Sequence, residues 1–292
     1  MEKAILKTLI YSSLFDYPLK AWEIHKWLIG QKLTLRQVEK GLLILIKKGK
    51  VKTRSGYYFL PDKKRLVEKR INRQHFSNSL LKKAEKVAKL LKIIPWIKLV
   101  GISGNLAMDN ASKNDDIDFF IITAKNRLWT SRLMILGLLD ILRIRRKKGE
   151  KGRKIAQKIC VNLLLEEDSL GQSNKDIYLA HEVLQMKVLW QKDDMYKKYL
   201  EENSWAFNFL PNWSTVQSFS SKTKNKRKFW DFNSKNFINP IEKIFKKLQL
   251  SHMGKPKGLE KISNNALYLH PQDYRPFILQ EYLQRCRLEK IV

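Results

Sequence analysis

Asp116 and Asp118 stand two residues apart in the run Asp115-Asp116-Ile117-Asp118-Phe119-Phe120-Ile121-Ile122-Thr123, which is otherwise mostly apolar. If residues 116–123 form a strand, Ile117, Phe119 and Ile121 share one face. Asp116, Asp118, Phe120 and Ile122 then share the other, so both carboxylates point the same way. Residues two apart on a strand have Cα atoms about 6.5 Å apart. Converging oxygens at that spacing can share one or two divalent cations roughly 3.5–4 Å apart. Magnesium suits such a donor set, because it takes one or two carboxylates and completes its shell with substrate phosphates.

Metal alone does not make a phosphate site, and the elements upstream supply the other half. Residues 97–103 read as a strand running into the turn Ser103-Gly104-Asn105, and 106–108 open a helix-like stretch. Backbone amides at such a turn can cradle a triphosphate. Glycine is wanted there because it accepts unusual φ and lets a phosphate come close to the backbone. The gap between Gly104 and Asp116 leaves room for a short helix and a loop.

Taken together, these residues resemble the DNA polymerase beta-like nucleotidyltransferase superfamily over about residues 95–168. Its pattern is a hydrophobic residue, Gly, then Gly or Ser, followed roughly ten residues later by Asp-hydrophobic-Asp-hydrophobic. Ser103, Gly104 and Asn105 stand in the phosphate-turn position, and Asp116-Ile117-Asp118-Phe119 in the metal position. Asn105 replaces the usual Ser or Gly, with an amide that can still donate to a phosphate oxygen. The resemblance implies that Asp116 and Asp118 bind Mg2+ while an acceptor hydroxyl attacks the α-phosphorus of a nucleoside triphosphate. It also implies a third acidic residue on a later strand. The candidate strand, 158–165, carries Asn162 at its centre, and Asn has neither negative charge nor basicity. Glu166 has the same strand parity but lies about 13 Å further along an extended chain. The Asp-x-Asp pair alone is common; the order strand, turn, helix-sized gap, acidic strand is what gives the pattern its specificity.

The 292 residues with 43% hydrophobic content can bury a sizeable core, and that length suggests about two or three domains. Fifty-eight basic against 28 acidic residues give a formal charge of +30, which points to polyanionic partners or to a generally lysine-rich proteome. Cys160 and Cys286 lack metal-ligand spacing and read as reduced, structural thiols of a cytoplasmic protein. Residues 1–7 lack the apolar core of a secretory signal. The longest apolar run, 128–144, contains Arg132, Asp140 and Arg143, so no stable membrane insertion is expected.

Residues 1–61 read as a winged helix-turn-helix, with helix periods over 4–15, 22–29 and 35–48 and a hairpin turned at Ser55-Gly56. Thr34 with Gln37 makes a capping box at the third helix. Arg36, Gln37 and Lys40 on that helix, and Lys52 and Arg54 on the wing, are the candidate nucleic-acid contacts; such units also dock proteins. A helical connector follows over 62–94, with helices at 62–73 and 78–94 and an apolar stripe of Leu81, Ala84, Val87, Ala88 and Leu91. The nucleotidyltransferase-like core is placed at 95–170 and a helical C-terminal region at 171–292, with helices over 176–188, 195–203, 240–250 and 275–287. Basic runs occur at 143–154 and 222–228, the second inside a linker-like stretch, 214–228. His181 reads as structural, without zinc-protease spacing beside Glu182. The expected fold class is α+β, a mixed sheet with helices flanked by the two helical regions. The expected function is metal-dependent transfer of a nucleoside monophosphate from a triphosphate to an unidentified acceptor. Its rivals are a nucleic-acid-binding regulator with a catalytically silent core and an enzyme that modifies a partner protein.

Overall fold

The computed structural model describes residues 1–61, 65–147, 149–216, 238–253, 260–269 and 273–291. The N-terminal elements are α1 (Glu2–Ser13), β1 (Leu19–Lys20), α2 (Ala21–Lys26), α3 (Leu35–Lys47), β2 (Lys52–Arg54) and β3 (Tyr57–Phe59). Then come α4 (Leu66–Leu91), β4 (Ile97–Ile102), α5 (Gly104–Ala107), β5 (Ile117–Thr123), α6 (Leu128–Ile141) and β6 (Ile159–Glu166), with a 3₁₀ turn at Gly152–Ile155. The chain continues through α7 (Ile177–Gln185), β7 (Lys187–Gln191), α8 (Met195–Glu202), α9 (Ala206–Phe209) and α10 (Trp213–Val216). It closes with α11 (Ile238–Met253), β8 (Lys261–Ile262), β9 (Ala266–Tyr268) and α12 (Arg275–Leu288).

Local signals settle the N-terminal unit. Thr34 Oγ1 accepts from the Gln37 amide at 3.3 Å and Gln37 Oε1 accepts from the Thr34 amide at 2.8 Å, which opens α3. Ser55 and Gly56 both adopt left-handed φ, 50° and 77°, the twist that a two-residue hairpin needs. The three short strands pair in the order β1-β3-β2. The two helices expected over 62–94 are a single helix, α4, because no Pro or Gly interrupts 66–91; residues 62–64 lie outside the described ones.

A six-stranded mixed sheet, in the order β7-β4-β5-β6-β9-β8, forms the centre of an α+β structure. β5 and β6 are parallel, joined through α6, and the other neighbours are antiparallel. Three of these strands come from the region read as helical. The helix expected over 176–188 stops at Gln185 because Met186 turns extended (φ −52°, ψ 123°), and the next five residues form β7, four of them paired with β4. All five β7 residues are half-buried, so this edge strand carries no alternation to betray it. β8 and β9, with two and three residues, are too short to show a period.

The two faces of β5 pack against different layers. Ile117, Phe119 and Ile121 join Leu80, Ala84, Val87, Ala88 and Leu91 of α4 and Leu128, Ile135 and Leu139 of α6. Phe120 and Ile122 join a second core that runs through Ile5, Leu9 and Trp27, through Ile177, Val183 and Leu184 of α7, and into Tyr282 and Cys286 of α12. The N-terminal unit therefore packs directly on the C-terminal helices. Asn212 ties them further: its Nδ2 donates to the His25 and Leu33 carbonyls at 2.8 and 2.9 Å, and its Oδ1 accepts from the Leu33 amide at 3.1 Å.

Glu166 is no stand-in for a third catalytic carboxylate. Its Oε1 accepts from the Arg127 and Leu128 amides at 3.2 and 3.4 Å, at the start of α6. Glu242 of α11 accepts from the Trp129 and Thr130 amides at 2.6 and 3.0 Å. Both satisfy amides that a helix N-terminus leaves without an internal acceptor. Among the described residues, no helix is long and apolar enough to cross a membrane.

Candidate functional site

The polar end of β5 is built by its neighbours. The Ser103 amide donates to the Asp118 carbonyl at 3.0 Å, which sets the turn after β4 directly beside the acidic strand. Gly104 follows with φ +63°, and a Cβ there would lie 3.1 Å from Asp118 Oδ2. Both the backbone conformation and the close approach call for glycine. Across the parallel pairing, Asp118 faces Cys160 and Phe119 faces Val161, but Phe120 faces Leu163. That irregularity leaves Asn162 without a partner in β5, and its Nδ2 donates to Asp118 Oδ1 while its Oδ1 accepts from Cys160 Sγ at 2.8 Å.

Cys160 is thereby corrected from an isolated structural thiol to a member of the site. Ligand atoms of Asp116, Asp118 and Cys160 all lie within 4.8 Å of one another. Its parity with Asn162, two residues away on one strand, was the available signal. The loop after α6 adds Arg146, whose Nη1 reaches Asp116 Oδ2 at 2.6 Å and Cys160 Sγ at 3.8 Å. The Arg146 amide bonds the Ile159 carbonyl at 2.9 Å, which fixes this part of the 143–154 run beside β6. No local pattern announces that contact.

Burial drives the Asp118 carboxyl up to about 8, with the neighbouring charge of Asp116 raising it further and Arg146 opposing. Without a divalent cation, burial and the neighbouring charge both favour the protonated form of Asp118. Burial, then the charges of Asp118 and Asp116, push the Cys160 thiol up, so it stays neutral. The two carboxylates fit a hard divalent cation. Neutral Cys160 and Asn162 add no charge, and a thiol is a poor match to magnesium. Arg146 occupies one of the two oxygens of Asp116.

Ser103, Gly104, Asn105 and Asp118 line a cavity of 1220 Å³; Asp116 and Asn162 adjoin Asp118 without lining it. Asn105, expected to donate to a phosphate, donates to Asp115 Oδ2 at 3.2 Å. The opposite walls come from Tyr11 and Phe15 of α1, Tyr178 and Glu182 of α7, and Tyr268 of β9. Glu182 accepts from Gln185 Nε2, and burial raises its carboxyl to about 7. It is the second functional candidate that the sequence passed over. His181 is packing material: its ring stacks on Tyr11 at 4.1 Å and on Trp27 at 5.3 Å, and burial lowers it to about 3, keeping it neutral.

The nucleic-acid candidates do not line this cavity. Arg36, Gln37 and Lys40 are exposed on α3, with the Gln37 carbonyl engaged by Thr34. Lys52 and Arg54 are exposed on β2, and Arg54 Nη1 pairs with Glu68 Oε1 at 2.8 Å. The linker-like stretch beyond residue 216, the basic run 222–228, the glycine-lysine segment 254–258, His270 and Lys148 lie outside the described residues.

No protein-family model matches the chain, and no curated protein matches it. Among solved structures, a chain described as "Crystal structure of the toxin-antitoxin with AMP-PNP" is similar at 18% identity and a TM-score of 0.22. The match covers 45% of this chain and 84% of that one.

Proposed function

We propose that this protein is a magnesium-dependent nucleotidyltransferase that moves a nucleoside monophosphate from a triphosphate to an acceptor hydroxyl. The observation that carries the reading is the pair Asp116 and Asp118, of which Asp118 stands beside a glycine turn with left-handed backbone at the wall of a large cavity. Asp116 and Asp118 would hold the metal, which when bound supplies charge neutralisation for the triphosphate. Amides of the Ser103-Gly104-Asn105 turn would orient the phosphates, and Gly104 lets them approach the backbone. Arg146, once released from Asp116, would be a second cation available to a phosphate oxygen. The cavity walls hold the acceptor against the nucleotide and limit water. In the transfer itself the acceptor oxygen bonds to the α-phosphorus, the bond to the bridging oxygen breaks, pyrophosphate leaves and the hydroxyl proton passes to solvent.

The test is calorimetric titration of magnesium with ATP, GTP, CTP and UTP into the wild type and Asp118→Ala, followed by a transfer assay with any nucleotide that binds. Binding that disappears in the variant supports the reading. Absence of binding by every triphosphate sinks it.

One observation favours a second reading, a regulator with a silent core: the protein itself satisfies both carboxylates, Asp116 through Arg146 and Asp118 through Asn162. With a net charge of +30 and exposed Arg36, Lys40 and Lys52, such a protein would act through nucleic acid. Duplex-DNA affinity that falls steeply with salt, without any triphosphate binding, would select it.

A further inference from the structure

We infer that the part of the cavity facing the acidic pair is an acceptor subsite for a small, hydroxyl-bearing organic cation, with Glu182 as its charge partner; the acceptor role rests on the nucleotidyltransferase reading above.

Three observations converge. The first is size. At 1220 Å³ the cavity exceeds the roughly 300–1,000 Å³ of a site for one drug-sized ligand, so it has room for a nucleotide and a small second molecule together.

The second is charge, which inverts that of the chain. The protein carries 58 basic against 28 acidic residues, yet the described residues that line the cavity include six carboxyl groups besides Asp118 against only Lys198, Lys261 and Arg275. Some of those carboxylates have cations of their own: Lys98 lies 3.8 Å from Glu167, Lys125 3.0 Å from Asp168 and Lys197 3.8 Å from Glu201, while Arg275 pairs with Asp176 at 2.7 Å. Glu182 has none. Among the described residues its side chain accepts from Gln185 Nε2 and meets no cation. An enclosed carboxylate without a counter-charge is costly, and a cationic ligand would relieve that cost. A polyanionic acceptor such as a nucleic-acid strand would be repelled by the same wall.

The third is the surface chemistry of the wall. Tyr11, Phe120, Tyr178, Tyr199 and Tyr268 line the cavity. Aromatic faces attract organic cations through the ring quadrupole. The topology brings this wall to the transfer site: Met186 ends α7 one turn beyond Glu182, and its Sδ would lie 2.6 Å from a Cβ on Gly101. Lys187 then pairs with Ile102, the residue before Ser103.

A matched sugar series tests the inference on the full-length protein. Glucosamine, glucose and glucuronate differ in charge but little in size or hydroxyl count. Each is titrated calorimetrically into the wild type and Glu182→Gln, with and without magnesium and α,β-methylene-ATP, which blocks transfer. The expected result is saturable glucosamine binding, at least tenfold weaker binding of glucose, no binding of glucuronate, and at least tenfold loss for glucosamine in the variant. No saturable glucosamine binding, or glucuronate binding as well as glucosamine, overturns the inference. In that case binding of the magnesium–nucleotide analogue shows that the transfer reading survives. Conversely, glucosamine binding without any nucleotide binding keeps the cation pocket and removes the transfer reading. Circular dichroism checks the variant; if it does not fold, the ranking of the three sugars on the wild type decides.

Discussion

Replacing Arg146 by alanine should tighten divalent-cation binding at the acidic pair. Arg146 Nη1 sits 2.6 Å from Asp116 Oδ2, with side chains 30% and 13% exposed. Fully exposed ion pairs are worth about 0.2–1 kcal/mol, and breaking a buried pair by removing one partner costs about 3–5 kcal/mol. A pair of intermediate exposure contributes about 1–2 kcal/mol, which an incoming cation must displace. At about 1.4 kcal/mol per factor of ten, removing this competitor should strengthen magnesium or manganese binding about five- to thirty-fold. The same substitution should lower the stability of the metal-free protein by about 1–2 kcal/mol, since Asp116 loses its counter-ion. The assay is calorimetric titration of each metal without nucleotide, at pH 7 and pH 9, on the wild type and Arg146→Ala. Metal binding must expel the proton that Asp118 holds up to about 8, so affinity should rise between those two pH values in both proteins. Unchanged or weaker metal affinity in the variant would refute the reasoning, because Arg146 would then not be competing for the carboxylates.

Gly104→Ala should cost about 1–2 kcal/mol of stability, from a left-handed φ imposed on a Cβ residue, and should abolish triphosphate binding, because the new methyl meets Asp118 Oδ2; urea unfolding and calorimetry read the two effects. Glu182 has its carboxyl raised to about 7 from an unfolded value of about 4.3. Its contribution to stability is therefore fully present below about pH 4 and lost as pH rises through 7. Glu182→Gln should remove that loss, so the stability gap between variant and wild type should widen by up to about 3 kcal/mol from pH 5 to pH 8; equal urea midpoints across that range would contradict it. In the buried network beneath the turn, Arg70 bonds Glu23 at 3.2 Å, the Tyr17 hydroxyl at 2.7 Å and the Asp109 carbonyl at 2.6 Å. Arg70→Met should destabilise by about 3–5 kcal/mol, because buried Glu23 loses its counter-ion; a change in denaturant midpoint worth under about 1 kcal/mol would show the pair to be dispensable.

What the sequence by itself determined was local. Asp118 shares a face with Phe120 and Ile122 because a strand alternates, with Asp116 one residue before β5, and the structure divides β5 between its two cores along that line. The Thr34-Gln37 cap, the Ser55-Gly56 hairpin and the left-handed Gly104 turn are also readable, since each depends on the conformational preferences of a few adjacent residues. Only tertiary structure decided the rest. β7 and β9 became strands because β4 and β6 offered them partners, and β8 because β9 did in turn; half-buried or very short strands have no period of their own. Cys160 and Asn162 met Asp118 through parallel pairing across more than forty residues, and a register irregularity in that pairing turned Asn162 toward the carboxylate. Arg146 reached Asp116 from a loop whose basic composition says nothing about its target. The cavity takes its walls from α1, α7, β9 and α12 as well as from the turn after β4. Side-chain patterns encode which face of an element is buried. They do not encode which distant face it meets, and here that pairing sets the charge, the size and the chemistry of the site.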